Sequence, residues 1–339
     1  MPVMRRTLLL LMSFALAADA ADLHWSELPP IPDPRGFAGS FAGVSDGSLI
    51  VAGGTHFIDK MPWDGGTKVW YDTVYELKTP DGTWRVKGKL PKPNGYGVSL
   101  TTSDGLFIIG GGNATEHYRD VFSLTADAEL PPLPKPCAFL AGCVLDDVFY
   151  IAGGIETPAA TSAMNTFWAF DLKQKDAAWQ ELPPCPGKPR ILACMAAANG
   201  AVHLFGGATL KAGADGKAER EWLQDAWKYL PAKGWQKLPD MPRVAVAAPN
   251  PAPVIDSTIL IIGGDDGLNA NFEPKTQHPG FPRSILAFDL KTQSWSKAGE
   301  VPFSLVTTNA VLWGQRLIVP GGESRPGVRS PQVWSAPLQ

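Results

Sequence analysis

Apolar and polar positions along this chain do not recur at a helical period. They form short runs of four or five β-favouring apolar residues, each opened by a polar turn and closed by a glycine pair. Six segments share the design: DGSLIVAGG (46–54), DGLFIIGGG (104–112), DDVFYIAGG (146–154), NGAVHLFGG (199–207), DSTILIIGG (256–264) and GQRLIVPGG (314–322). Taking the last two glycines of each, the pairs begin at 53, 111, 153, 206, 263 and 321. A second phrase follows each of the first five pairs: an aromatic-rich strand, a polar turn, then a Trp before a Leu-Pro or similar exit. Examples are NTFWAFDLKQKDAAWQELP and RSILAFDLKTQSWSKAGEVP. The second copy, HYRDVFSLTADAELPPLP, has no late Trp, which predicts a weaker outer strand there. After the sixth pair and its loop only PQVWSAPLQ remains, and its missing partner stands at the other end as LHWSELPPIP (23–32).

Four short strands per repeat cannot bury both faces of their sheet alone. Stacking the sheets radially buries them and leaves only short edges. The pattern therefore predicts an all-β fold, a six-bladed β-propeller over residues 21–339, with the N-terminal strand completing the last blade. The glycine pairs mark close backbone approach and positive φ, and the recurrent Trp residues fill the wedge between blades. Gly-Gly, a later aromatic and a Trp, at intervals of roughly fifty residues, resemble kelch repeats.

Composition narrows the chemistry. With 339 residues and a net charge of −3, nothing predicts nucleic acid or a membrane surface as partner. Arg5-Arg6, the apolar run Thr7 to Ala17 and Ala18-Asp19-Ala20 read as a secretory signal over 1–20. The expected location is outside the cytoplasm, periplasmic or secreted. Four cysteines, Cys137, Cys143, Cys185 and Cys194, allow three full disulfide pairings or remain buried thiols. There is no C-x-x-C pair, and the five histidines are scattered, so neither a metal nor another cofactor is expected.

In a propeller, the loops leading into the innermost strands and the loops after the glycine pairs surround one mouth of the central channel. The lead-in loops carry Arg35, Asn94, Arg190 and Arg243. Three arginines at corresponding positions predict an anion pocket on the axis, with a carboxylate matching their fork geometry. Asn94 is a candidate for reading a polar arm of the ligand, and His278, in a post-glycine loop, is a candidate proton donor. The residues directly after the six pairs are Thr55, Asn113, Ile155, Ala208, Asp265 and Glu323. Only the sixth is a glutamate, and Pro326-Gly327 folds its loop back so that Arg329 approaches it. Glu323 is then either a general base oriented by Arg329 or half of a loop ion pair.

The stretch GESRPGVR (322–329) is similar to the motif of the bacterial sialic acid mutarotases, the N-acetylneuraminate epimerases. GGTHFIDKMPWDGGTKVWYD and QHPGFPRSILAFDL also resemble a cyclically permuted branch of that family. The resemblance implies a periplasmic six-bladed kelch propeller that interconverts the anomers of an acidic sugar without a cofactor. Its motif glutamate and arginine fall on Glu323 and Arg329; Arg35, Arg190 and Arg243 would hold the sugar carboxylate. In unpermuted members the motif lies mid-chain, whereas here it lies in the last blade. A closed ring tolerates a cut in any exposed loop. Three other readings compete: a non-catalytic kelch module binding an acidic glycan or peptide, a sialidase, and a copper-radical oxidase. Against the last two, TPDGTW (79–84) is a single imperfect echo of a sialidase box, and no His and Tyr cluster is visible in the sequence.

Overall fold

The computed structural model describes residues 23–125 and 130–338. The signal-peptide reading of residues 1–20 lies outside the described residues. Six antiparallel sheets form the ring, and three two-stranded hairpins are appended to it. Blade 1 runs outward through Phe41–Ser45, Ser48–Ala52, Thr73–Leu77 and Arg85–Lys89. Blades 3, 4 and 5 repeat the four-stranded order. In blade 6, Val311–Trp313, Arg316–Pro320 and Val333–Pro337 come from the C-terminal end, and Ser26–Leu28 supplies the outer strand. Its register is Ser26↔Ser335, Glu27↔Trp334 and Leu28↔Val333. The ring is thus closed by hydrogen bonds between the two ends of the chain.

Blade 2 shows three strands among the described residues, Val98–Thr102, Gly105–Ile109 and Val121–Ser123. Past Val121–Ser123, Leu130 N–H donates to Val121 O at 2.9 Å. The late Trp that this copy lacks has a defined role in the other blades. The outer-strand indole reaches back to the previous blade's Pro carbonyl: Trp179 to Pro131 (2.8 Å), Trp235 to Pro183 (2.8 Å) and Trp295 to Pro239 (2.9 Å). Across the closure, Trp84 does the same to Pro29 at 2.7 Å. The Trp residues are therefore clasps as well as wedges, each pinning an outer strand to its neighbour. Between the sheets, apolar side chains of adjacent blades interdigitate; Cys143, Tyr150 and Phe167 of blade 3 pack with Met195, Leu204 and Tyr229 of blade 4.

At the axis, six residues close a ring of backbone hydrogen bonds. Tyr96 N–H donates to Gly39 O (2.8 Å), Phe139 to Tyr96 (2.7 Å), Leu192 to Phe139 (2.9 Å), Ala247 to Leu192 (2.9 Å), Thr307 to Ala247 (2.8 Å) and Gly39 to Thr307 (2.7 Å). All six have positive φ, five of them without being glycine. Left-handed backbone costs roughly 1–3 kcal/mol at a non-glycine residue, and it persists here because the closed ring over-determines it.

The glycine pairs line up with one correction. Gly53 and Gly54 have φ of 61° and 89°, and in blade 2 the matching values, 61° and 92°, belong to Gly110 and Gly111. The triple glycine hid a one-residue shift. The residue following the pair in blade 2 is Gly112, not Asn113, and it bridges Gly95 just as Thr55 bridges Ala38. The tight fit is clear at Gly322, whose φ is 108° and where a Cβ would stand 2.8 Å from Val306 O.

All four cysteines are buried free thiols. Burial raises each thiol pKa, that of Cys194 to about 12, which removes thiolate chemistry at neutral pH.

Candidate active site

The sixth glycine pair feeds a short hairpin, Glu323–Arg325 against Val328–Arg329, turned by Pro326-Gly327. Glu323 and Arg329 are cross-strand partners in it. The backbone of Glu323 is fixed by a two-way bridge to Val306, at 2.9 and 3.0 Å. Its carboxylate is fixed by the hairpin turn, where Gly327 N–H donates to Oε1 at 2.7 Å. Arg329 Nη1 approaches the same Oε1 at 3.4 Å. No hydrogen-bond or ion-pair partner of Oε2 is found among the described residues.

Arg329 is buried, its side chain only 3% exposed. The guanidinium lies over Phe57, with Cζ 4.9 Å from the ring centroid, and Nε donates to Thr55 O at 3.3 Å. The contact with Glu323 has the distance of an ion pair without the alignment of a hydrogen bond, so Nη1 is a buried donor with no acceptor. Buried donors are rarely left this way. One that borders a cavity is prepared for an oxygen from outside the protein.

That cavity has a volume of about 290 Å³ and opens at the channel mouth on the hairpin side. Glu323, Gly327 and Arg329 line it together with Lys68, Asp265 and Arg220. Phe57, Tyr96, Phe139 and Phe281 supply aromatic wall. Blade 1 braces this hairpin across the closure: at Gly327, where φ is 82°, a Cβ would stand 2.6 Å from Pro62. From the other side Arg325 Nη1 donates to Thr276 O at 2.7 Å.

The lead-in side chains do something other than expected. Asn94 donates to Gly110 O (3.0 Å), the Cys137 thiol to Gly153 O (3.3 Å), Arg190 to Gly206 O (2.9 Å) and Arg243 to Gly263 O (2.7 Å). Each satisfies the carbonyl of the first glycine in its own blade, a group that the strand ladder leaves open. Arg190 is further consumed by Asp225, with Nη1–Oδ1 at 2.9 Å and Nη2–Oδ2 at 2.7 Å. Burial opposes the charge of Asp225, but the Arg190 hydrogen bonds and charge outweigh it and hold the carboxyl below its usual range. Arg243 spends its remaining donors on Ser284 and Val244 O. Arg35 is exposed, its Nε 3.4 Å from Asp33 Oδ1.

None of these three arginines, nor Asn94, lines the cavity. The anion pocket expected from them is corrected: Arg190 and Arg243 hold the frame of their own blades, Arg35 lies exposed beside Asp33, and Arg190 does not even share a lead-in position with the other two. It stands two residues before its hub residue Leu192, whereas Arg35 and Arg243 stand four before Gly39 and Ala247. His278 is also outside the cavity wall. It is buried, accepts from Gly280 N–H at 3.0 Å, and packs its ring behind Phe281. Sequence reasoning missed Lys68, Tyr96 and Arg220 as site residues. For Lys68 and Arg220 the available signal was length: 55–70 and 208–222 are long post-glycine insertions, and each folds into a hairpin over the mouth.

A family model described as N-acetylneuraminate epimerase matches residues 13–129 and 130–271. The chain belongs to the N-acetylneuraminate epimerase family. Among curated family members, the N-acetylneuraminate epimerase of Haemophilus influenzae is 26% identical over 238 residues, 62% of this chain and 60% of that protein. The Escherichia coli epimerase is 29% identical over 238 residues, 62% of this chain and 61% of its own length. That of Salmonella enteritidis reaches 42%, over 111 residues and 28% of each chain. The chain therefore spans about 60% of the length of the first epimerases it matches. The solved structure of YjhT superposes with a TM-score of 0.67 over 91% of this chain and 96% of that one, at 16% identity, which shows the shared fold. Glu323 and Arg329 lie beyond both segments matched by the family model.

Proposed function

We propose that this protein interconverts the anomers of N-acetylneuraminate by acid–base ring opening, with Glu323 as the base and Arg329 as its electrostatic partner. The observation that carries the reading is one arrangement: a carboxylate pinned through Oε1 with Oε2 unspent, beside a buried guanidinium nitrogen that has no acceptor. In this mechanism Oε2 takes the proton of the anomeric hydroxyl. The ring C–O bond then breaks as the ring oxygen receives a proton from solvent. The open keto form rotates about its C–C bond and recloses on the other face, returning the protons.

Arg329 is permanently charged, so its role is to stabilise the oxygen on which negative charge develops. Pinning Oε1 by a backbone amide removes the reorganisation that a free glutamate would need. Family membership supports the choice of substrate. A closed ring places the hairpin beside blade 1 wherever the chain is cut, so the motif's position in the last blade does not disturb the geometry.

The test is saturation-transfer NMR of exchange between the two anomers of N-acetylneuraminate. Wild type should accelerate exchange, and Glu323→Gln should lower it by roughly 100- to 10,000-fold, the scale of a lost general base. Equal rates for the two proteins reject Glu323 as the base. Binding without any exchange in the wild type would favour a non-catalytic module.

A further inference from the structure

We infer that Lys68 is the carboxylate anchor that makes the site selective for an acidic sugar, a role that rests on the anomer-exchange reading above. Lys68 begins the strand Lys68–Trp70, and its cross-strand partner is Phe57, the ring under the Arg329 guanidinium. Its ammonium donates to Tyr96 Oη at 3.3 Å and lies 5.0 Å from the Tyr96 ring centroid and 5.6 Å from that of Trp70. Among the described residues no carboxylate pairs with it, and its hydrogen bond goes to the phenol. A cation held at a cavity wall by a phenol and two ring faces, with N–H groups to spare, is an anion site awaiting its anion.

The other cations are less suited. Arg329 is committed by its place beside Glu323 to the oxygen on which charge develops, and Arg220 is exposed on its hairpin. The support under Lys68 is rigid. Tyr96 is one of the six hub residues, its ring is 4.7 Å from Phe139, and its hydroxyl is 3.0 Å from Thr55 Oγ1. The connectivity of the substrate fits this placement. In a 2-keto sugar acid the carboxylate is bonded to the anomeric carbon, so the anion anchor must sit close to the base that attacks the anomeric hydroxyl. Lys68 on blade 1 and Glu323 on blade 6 line the same cavity from adjoining blades. Held this way, the sugar has its carboxylate toward blade 1 and its anomeric hydroxyl toward Glu323.

The experiment compares N-acetylneuraminate with its methyl ester, which keeps the ring and loses the charge. Binding is measured by titration calorimetry and exchange by NMR, for wild type, Lys68→Met, Lys68→Arg and Glu323→Gln. For the acid, Lys68→Met should weaken binding and raise KM by roughly 10- to 100-fold, the scale of a charge-assisted hydrogen bond. Ester binding and kcat should hardly move, Lys68→Arg should recover part of the loss, and Glu323→Gln should still prefer the acid. Equal loss for acid and ester in Lys68→Met, or no loss for either, overturns the anchor. Acid-selective binding that depends on Lys68, with no exchange in wild type, keeps the anchor and rejects the enzyme. A wild type that binds neither compound overturns both.

Discussion

Arg190 and Asp225 form a two-point ion pair inside blade 4, and Arg190 also donates to Gly206 O. One guanidinium thus ties the lead-in loop to Gly206 at the end of Ala201–Phe205 and to Asp225, which opens Ala226–Leu230. Arg190→Met leaves Asp225 as a half-buried charge without its cation and Gly206 O without a donor. Breaking such a pair costs about 3–5 kcal/mol. Urea unfolding should register that loss, while anomer exchange per folded molecule stays near wild type. An intact midpoint together with a raised KM would restore Arg190 to the binding site.

The Glu323 carboxylate is oriented by a turn that only glycine fits. Gly327→Ala places a Cβ against Pro62 and forces the hairpin away from blade 1. We expect kcat to fall roughly 10- to 100-fold, the cost of misplacing a catalytic group by about an ångström. Gly47→Ala is the control: its φ is also positive, at 71°, but nothing lies within 4 Å of the added Cβ. It should lose about 1 kcal/mol of stability and no activity.

Closure can be weighed at Leu28. This side chain is buried at the seam with Ile31, Trp84 and Val333. Leu28→Ala should destabilise the whole ring by about 2–5 kcal/mol, in one transition shared by all probes. A separate early transition of blade 6 alone would show that the seam is not coupled to the rest.

Acid should weaken the fold through His203. Burial, and then the charge of Lys228, lower its pKa to about 4. The folded state therefore holds it neutral while the unfolded chain titrates near its ordinary value of 6.5. Between those two pH values the unfolded state binds more protons, so stability is full above pH ~6.5 and falls as pH drops toward ~4. The difference corresponds to about 3 kcal/mol. His56 and His117 are lowered in the same direction, chiefly by burial. The check is the difference in urea midpoint between wild type and His203→Phe across that range: the variant should lose part of the slope. Parallel slopes would mean that the buried imidazole is already protonated or relaxes at little cost.

The ring itself was legible in the order of residues. Strand periodicity, six glycine pairs, a Trp-free second copy and an unpaired N-terminal phrase are local signals, and local hydrogen bonding and packing respect them. Glu323 and Arg329 were legible for the same reason: a two-residue turn joins them, so their meeting needs no distant contact. The triple glycine at 110–112 marks the limit of that reading, because three identical residues cannot tell which two take positive φ; the bridge to Gly95 decides it. The lead-in arginines mark another limit. An Arg in a lead-in loop looks the same in sequence whether it faces the channel or its own blade, and at Arg190 and Arg243 the unmet glycine carbonyl settles the matter. Lys68, Tyr96 and Arg220 converge from separate blades. Only closing the ring puts a cation from one insertion, a hub phenol and the last blade's carboxylate around one cavity, since no spacing along the chain encodes a distance across an axis.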